Sequence, residues 1–301
     1  MDCEYIDAKS IITTTKKPNY WFGTHYNMNI YKGCSHGCIY CDSRSDCYGI
    51  DNFDCIKVKK DALRIIRDDL RRKTKTGVIA TGAMSDPYNP IENELLLTRK
   101  ALELINAFGF GVSIATKSTL LSRDIDILTD IKSHSPVICK VTITTADDEL
   151  SKKIEPGASS SYERFDLLRN LSDNKIFSGI LLMPVLPFIE DSEENIVEIV
   201  RLANESGVKF IYPAFGVTLR ANQREWFYNK LDTLFPGQRL KEKYIETYKN
   251  SYNCRNKNAS RLWKVFQSEC DKYNILYKME DIISAYNKPY RIEQLRLFDT
   301  E

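Results

Sequence analysis

From Val78 to Phe215 the chain alternates short runs rich in β-branched residues with helical patterns, and this alternation limits the possible folds more than any other feature. Val78-Ile-Ala-Thr-Gly82 reads as a strand, and Thr98 to Phe108 has helical spacing with Leu102, Ile105 and Phe108 on one face. Gly111 to Thr116 is the next strand and Asp124 to Lys132 the next helix, with Ser122 or Asp124 as its cap. Val137 to Thr145 has the composition of a strand buried on both faces. Ser161 to Ser172 reads as a helix, Phe177 to Met183 as a strand, Ser192 to Ser206 as a helix ended by Gly207, and Val208 to Phe215 as a strand. With Tyr26 to Tyr31 as the first strand, units recur about every 30 to 35 residues, predicting roughly six β/α units on a parallel sheet with right-handed crossovers. An open doubly wound sheet and an incomplete barrel share this period. In both, chemistry belongs at the C-terminal ends of the strands.

The loop after that first strand carries Cys34-Ser-His-Gly-Cys38-Ile-Tyr-Cys41, a C-x3-C-x2-C spacing. Three thiolates this close on one loop can wrap a single metal centre and leave one coordination position open. The competing reading is a zinc knot completed by Cys47 or His36, although zinc sites more often repeat C-x2-C at a distance. The other cysteines give no pattern. Nine cysteines in 301 residues, with no secretory pattern at the start, read as reduced thiols and metal ligands in the cytoplasm. No stretch of apolar residues is long enough to span a membrane. A formal charge of +2 argues neither for nor against nucleic acid.

The cysteine spacing, with aromatic Tyr40 before its last member, resembles the signature of the radical S-adenosylmethionine (SAM) superfamily. That resemblance implies a partial (β/α)6 TIM-type barrel and a [4Fe-4S] cluster bound by Cys34, Cys38 and Cys41. SAM would occupy the open iron, its reductive cleavage would give a 5′-deoxyadenosyl radical, and a flavodoxin or ferredoxin would supply the electron. Ser85-Asp86-Pro87-Tyr88-Asn89-Pro90, Ala115-Thr116-Lys117-Ser118, Arg123-Asp124, Thr142-Ile-Thr-Thr145 and Glu155-Pro-Gly157 resemble the spore photoproduct lyase-related group. Carried over by position, Gly82 and Asp86 would meet the SAM amino group, although Asp86 equally suits an Asp-Pro turn. Lys117 and Arg164 would meet its carboxylate, Thr142 and Thr144 its ribose or adenine, and Tyr40 the adenine. The lyase itself takes hydrogen from a further cysteine between the cluster and mid-barrel, and this chain has none from Cys55 to Cys139. A relative with another substrate is therefore expected.

Beyond Phe215 the pattern turns helical, with Asn222 to Leu234, Leu240 to Tyr252 and Asn258 to Tyr273 as helices and no strands between them. The expected division is an N-terminal extension (1–20), the barrel (21–216), a helical C-terminal appendage covering its open side (217–288) and a tail (289–301). Lys57 to Lys75 holds nine basic residues on an expected first helix, and the appendage interleaves Arg224, Trp226, Tyr228, Arg239, Tyr244, Arg261 and Trp263. Such groups follow phosphates and stack on bases, but solvated faces around a buried aromatic stripe look the same. Gln294-Leu-Arg-Leu-Phe298 resembles the peptide that docks bacterial proteins on the sliding clamp, which would place the chain at DNA. The expected function is radical SAM chemistry on a base or lesion in DNA. RNA, a peptide or a small metabolite are the alternative substrates, and a zinc-stabilised nucleic-acid-binding protein is the alternative of another class.

Overall fold

The computed structural model describes residues 4–17 and 20–290; the clamp-like peptide Gln294–Phe298 lies outside them. Strands β1 (Glu4–Ile6), β2 (Ile12–Thr14), β3 (Tyr26–Met28), β4 (Tyr31–Lys32) and β5 (Lys57–Lys59) precede helix α1 (Ala62–Arg71). The repeat then runs β6 (Val78–Thr81), α2 (Glu92–Leu95), α3 (Leu97–Ala107), β7 (Gly111–Thr116), α4 (Ile125–Lys132) and β8 (Val137–Thr142). It continues through α5 (Asp148–Ile154), α6 (Ser161–Asp173), β9 (Ser178–Val185), α7 (Glu193–Glu205) and β10 (Phe210–Thr218). The C-terminal segment holds α8 (Gln223–Leu234), α9 (Leu240–Tyr248), β11 (Asn253–Arg255), α10 (Ala259–Lys272) and α11 (Met279–Asn287).

The main sheet has the order β11-β10-β9-β8-β7-β6-β3-β2. Its six central strands, β3 and β6 to β10, are parallel in sequence order, and antiparallel β2 and β11 form its edges. This is the expected partial (β/α)6 barrel. Alternation along each strand sorts its side chains. Ile79, Val112, Ile114, Cys139, Val141, Ile180 and Ile211 pack outward against the helices, whereas Val78, Ile138, Leu181 and Phe210 form a separate inner cluster with Phe22, Ile282 and Tyr286. Helix α6 starts on a capping box between Ser160 and Glu163, and α7 on Ser192 with Gly207 beyond its end at φ +70.

Several expectations need correction. The first strand stops at Met28, and β4 turns away to pair with β5 in a small sheet of order β1-β5-β4. Lys57–Lys59 is therefore strand, not helix. Asp124 does stand at the N-cap position of α4, but it makes no side-chain cap bond; Ser118, whose side chain accepts from Leu120 N, caps the 3-10 turn Thr119–Asp124 that leads into α4. A strand does occur in the C-terminal region: β11 pairs with β10 at Val217↔Cys254. The C-terminal helices also do more than close one side. Helices α8 and α9 form a cluster with Cys38, Ile39 and Tyr40, α10 joins the main core through Leu262 and Phe266, and α11 plugs the inner cluster.

Candidate functional site

The cysteine loop is held from three directions. Cys34 N donates to Phe53 O at 2.9 Å, Ile39 N to Ile154 O at 2.9 Å, and Gly157 N to His36 O at 2.8 Å. Gly157 must be glycine, because a Cβ there would lie 2.5 Å from Ser35 O. Glu155-Pro-Gly157 is thus a clamp on the loop. Glu155 itself accepts from the Tyr40 hydroxyl, and from Arg164 Nη2 at 2.5 Å. Burial pushes the Glu155 carboxyl up, but the Arg164 and Lys117 cations outweigh it and hold the group below its ordinary range.

Cys34, Cys38 and Cys41 line one cavity of about 140 Å³, open to solvent, together with Gly82, Asp86, Lys117 and Thr142. Burial raises the Cys34 thiol to about 11 and Cys38 further, so a cation there displaces protons from thiols that water cannot easily charge. Gly82 follows β6 at φ +92, where a Cβ would sit 1.9 Å from Ala115 O. Backbone rather than side chain therefore faces the cavity.

Asp86 makes the turn and also lines the cavity. Its Oδ1 accepts from Tyr88 N at 2.9 Å, as an Asp-Pro turn requires, and from Thr116 Oγ1 at 2.7 Å. Its Oδ2 accepts from Lys117 N at 2.8 Å and faces His36 Nδ1 at 3.4 Å, all at the cavity wall. Burial pulls the Lys117 ammonium down, yet Cys38 and Cys41, once they carry thiolate charge, and the Glu155 carboxylate hold it above its ordinary value. Its Nζ stands 5.6 Å from the Tyr40 ring centroid and has no acid partner among the described residues.

Three of the expected residues do not line this cavity. Arg164 is fully buried behind the cavity, donating to Thr142 O at 2.5 Å, Ser151 Oγ at 2.9 Å and Glu155. Tyr40 is committed as well, its hydroxyl to Glu155 and its carbonyl to Gln223 Nε2 at 2.9 Å. Thr144 is buried past the end of β8, beside the Glu190 carboxyl rather than in the cavity. Conversely, the supporting roles of Glu155 and Gln223 were invisible in sequence, because each depends on a partner more than a hundred residues away. The basic stretch is largely neutralised by Lys57–Glu4, Lys60–Asp7, Arg64–Asp61, Arg67–Asp68 and Arg72–Asp69 pairs. Tyr228 and Tyr244 are core, as the plainer reading held.

The profile of the Radical SAM superfamily matches residues 28–203, more than half of the chain. The chain belongs to the radical SAM superfamily. Its members use a [4Fe-4S] cluster and SAM, and this radical SAM enzyme presents its three loop thiols to a single cavity, as such a cluster requires. An uncharacterized protein of Mycobacterium tuberculosis is 30% identical over 231 residues, 74% of this chain and 67% of its own length. The Radical SAM Nalpha-GlyT isomerase of Pseudomonas phage M6 is 25% identical over 156 residues, 52% of this chain and 32% of that protein. In fold, the enzyme resembles a spore photoproduct lyase variant with bound AdoMet and dinucleoside spore photoproduct, at TM-score 0.59 and 15% identity over 83% of this chain and 74% of that one.

Proposed function

We propose that this radical SAM enzyme modifies a base in DNA, with Cys34, Cys38 and Cys41 holding the cluster and the rest of the cavity receiving SAM. The bound pair supplies a one-electron cleavage of the SAM sulfonium that yields a hydrogen-abstracting radical. Within the chain's own part, the free Lys117 ammonium suits the SAM carboxylate, and Asp86, whose Oδ2 keeps one lone pair beyond the carboxylate's three hydrogen bonds, suits its amino group. Gly82 brings its peptide against the ligand, and Thr142 offers the one hydroxyl of its pair on the cavity side. Arg164 is a positioning residue, acting through Glu155 and the Thr142 carbonyl.

The observation that carries the nucleic-acid reading is at the cavity mouth. Phe53 lines the cavity, and the Arg44 guanidinium stacks 4.9 Å from its ring centroid and 3.9 Å from that of Trp226. Beside it Arg220 lies 5.8 Å from the Tyr48 ring and 5.1 Å from Tyr252. Arg44 is paired with Asp54 and Arg220 with Asp42 at 3.1 Å, so what the cluster offers an extruded base is aromatic and guanidinium planes for stacking rather than free phosphate contacts. The dinucleoside spore photoproduct bound by the lyase variant is of this substrate class. Modification fits better than lyase-type repair, since Cys139 is buried on the outer, helix-facing side of β8. RNA, peptides and small metabolites remain the alternatives.

The test is anaerobic reconstitution to about four irons and four sulfides per chain, then SAM, reductant and duplex or single-stranded DNA. The expected outcome is 5′-deoxyadenosine formation stimulated by DNA and a nucleoside of altered mass in the digest. SAM cleavage indifferent to DNA, with every nucleoside unchanged, rejects the substrate. Clamp docking through Gln294–Phe298 is a separate proposal, and equal clamp recovery with and without those residues ends it.

A further inference from the structure

Next to the Trp226 edge of the cavity mouth lies a groove of about 420 Å³, framed by α5 and the second half of α8. Its floor is apolar: Gly37, Ile39, Pro156 and Leu234. Gly37 and Ile39 flank Cys38, whose thiol lines the cavity on the loop's opposite face. One peptide segment therefore separates a ligand in this groove from a cluster-binding sulfur. The rim is basic, with Lys152, Lys153 and Lys230 against a single carboxylate, Glu149. Lys152 pairs with Glu149 at 3.0 Å, Lys230 lies 4.5 Å from the Trp226 ring centroid, and exposed Lys153 meets no carboxylate among the described residues.

We propose that this groove docks a small acidic electron-donor protein that reduces the cluster; the inference rests on the radical SAM reading of the cavity. An apolar floor ringed by cations has the anatomy of a transient protein contact, in which charge steers the encounter and a small patch releases the partner quickly. A phosphate backbone would want cations along a polar track instead. In the step itself one electron leaves the donor, a reduced flavin or iron–sulfur protein, and enters the centre held by Cys34, Cys38 and Cys41; no bond or proton moves with it.

The experiment titrates the reconstituted full chain with an acidic flavodoxin by calorimetry, at low salt and at about 0.3 M salt. Lys152→Glu/Lys153→Glu/Lys230→Glu, and Lys153→Glu alone, are compared with a control reversal on α10, Lys272→Glu. The expected result is salt-sensitive binding weakened at least tenfold by the triple variant, partly by the single one and not by the control. SAM cleavage driven by flavodoxin hydroquinone falls in parallel, while dithionite-driven cleavage and iron content stay unchanged. Undiminished flavodoxin binding by the triple variant overturns the proposal. So does an equal loss with dithionite, or a duplex oligonucleotide whose binding, in place of flavodoxin's, is lost with the lysines. If the unaltered chain fails to load iron and sulfide, the cluster reading falls; flavodoxin titration of the unloaded chain still decides the groove.

Discussion

Lys140 sits on β8 between inward-facing Ile138 and Thr142, 2% exposed, with its Nζ donating to Ser113 Oγ at 2.7 Å and lying 4.6 Å from the Phe22 ring centroid. No carboxylate pairs with it among the described residues, and burial lowers its amine from 10.5 to about 7. A depressed base penalises the fold fully below pH 7, progressively less from pH 7 to 10.5, and not above. Lys140→Met should therefore raise stability by on the order of 3 kcal/mol near pH 6, with the gain shrinking as pH climbs toward 10. Urea melts across that range check it, and a pH-independent gain rejects the buried charge as its source. Gly82→Ala works in the opposite direction. With positive φ and the Ala115 carbonyl in the way, it should cost about 2 kcal/mol or more and weaken SAM binding, read by thermal melting and equilibrium dialysis.

The element that makes the site is the turn after α5 rather than any strand. Glu155 lies at its head, and replacing it with Gln leaves buried Arg164 without its counter-charge, a loss of about 3 kcal/mol at neutral pH. Because the Glu155 carboxyl is held below its ordinary 4.5, its contribution is present above that value and lost in acid. Wild-type and Glu155→Gln urea midpoints should thus converge as pH falls below about 4, and the variant should retain less iron at pH 7. The parallel strands and the cysteine loop were legible because period and spacing are local properties. The clamp was not: Glu155-Pro-Gly157 could be quoted as a motif, but its grip on His36 and Tyr40 exists only in three dimensions. Likewise β11 is three residues long and is a strand only because β10 offers it an edge.

At the scale of the whole molecule, the C-terminal segment reads in sequence as an appendage, yet it shares its burial with the site. Phe227, Leu231 and Tyr244 pack in one cluster with Cys38, Ile39 and Tyr40, and Tyr286 donates to Phe22 O at 2.7 Å inside the barrel. Gln223 bridges Tyr40 O and Thr218 O at 2.9 and 2.8 Å, so the first residue of α8 is stitched to the cysteine loop and to β10 together. Elements that bury the same side chains cannot unfold separately without exposing them, and the barrel and segment 217–288 should melt as one unit. The three tryptophans are placed to test this: Trp21 edges the inner cluster through Phe22, Trp226 abuts the cysteine loop through Arg44, and Trp263 packs edge-on against Phe215 and at a tilt against Phe266. Variants that keep one tryptophan each, the other two replaced by Phe, should give coincident urea transitions with each other and with circular dichroism. A Trp263 transition well below that of Trp21 would mean that the helices form a separable domain, and that the cysteine loop keeps its shape without them.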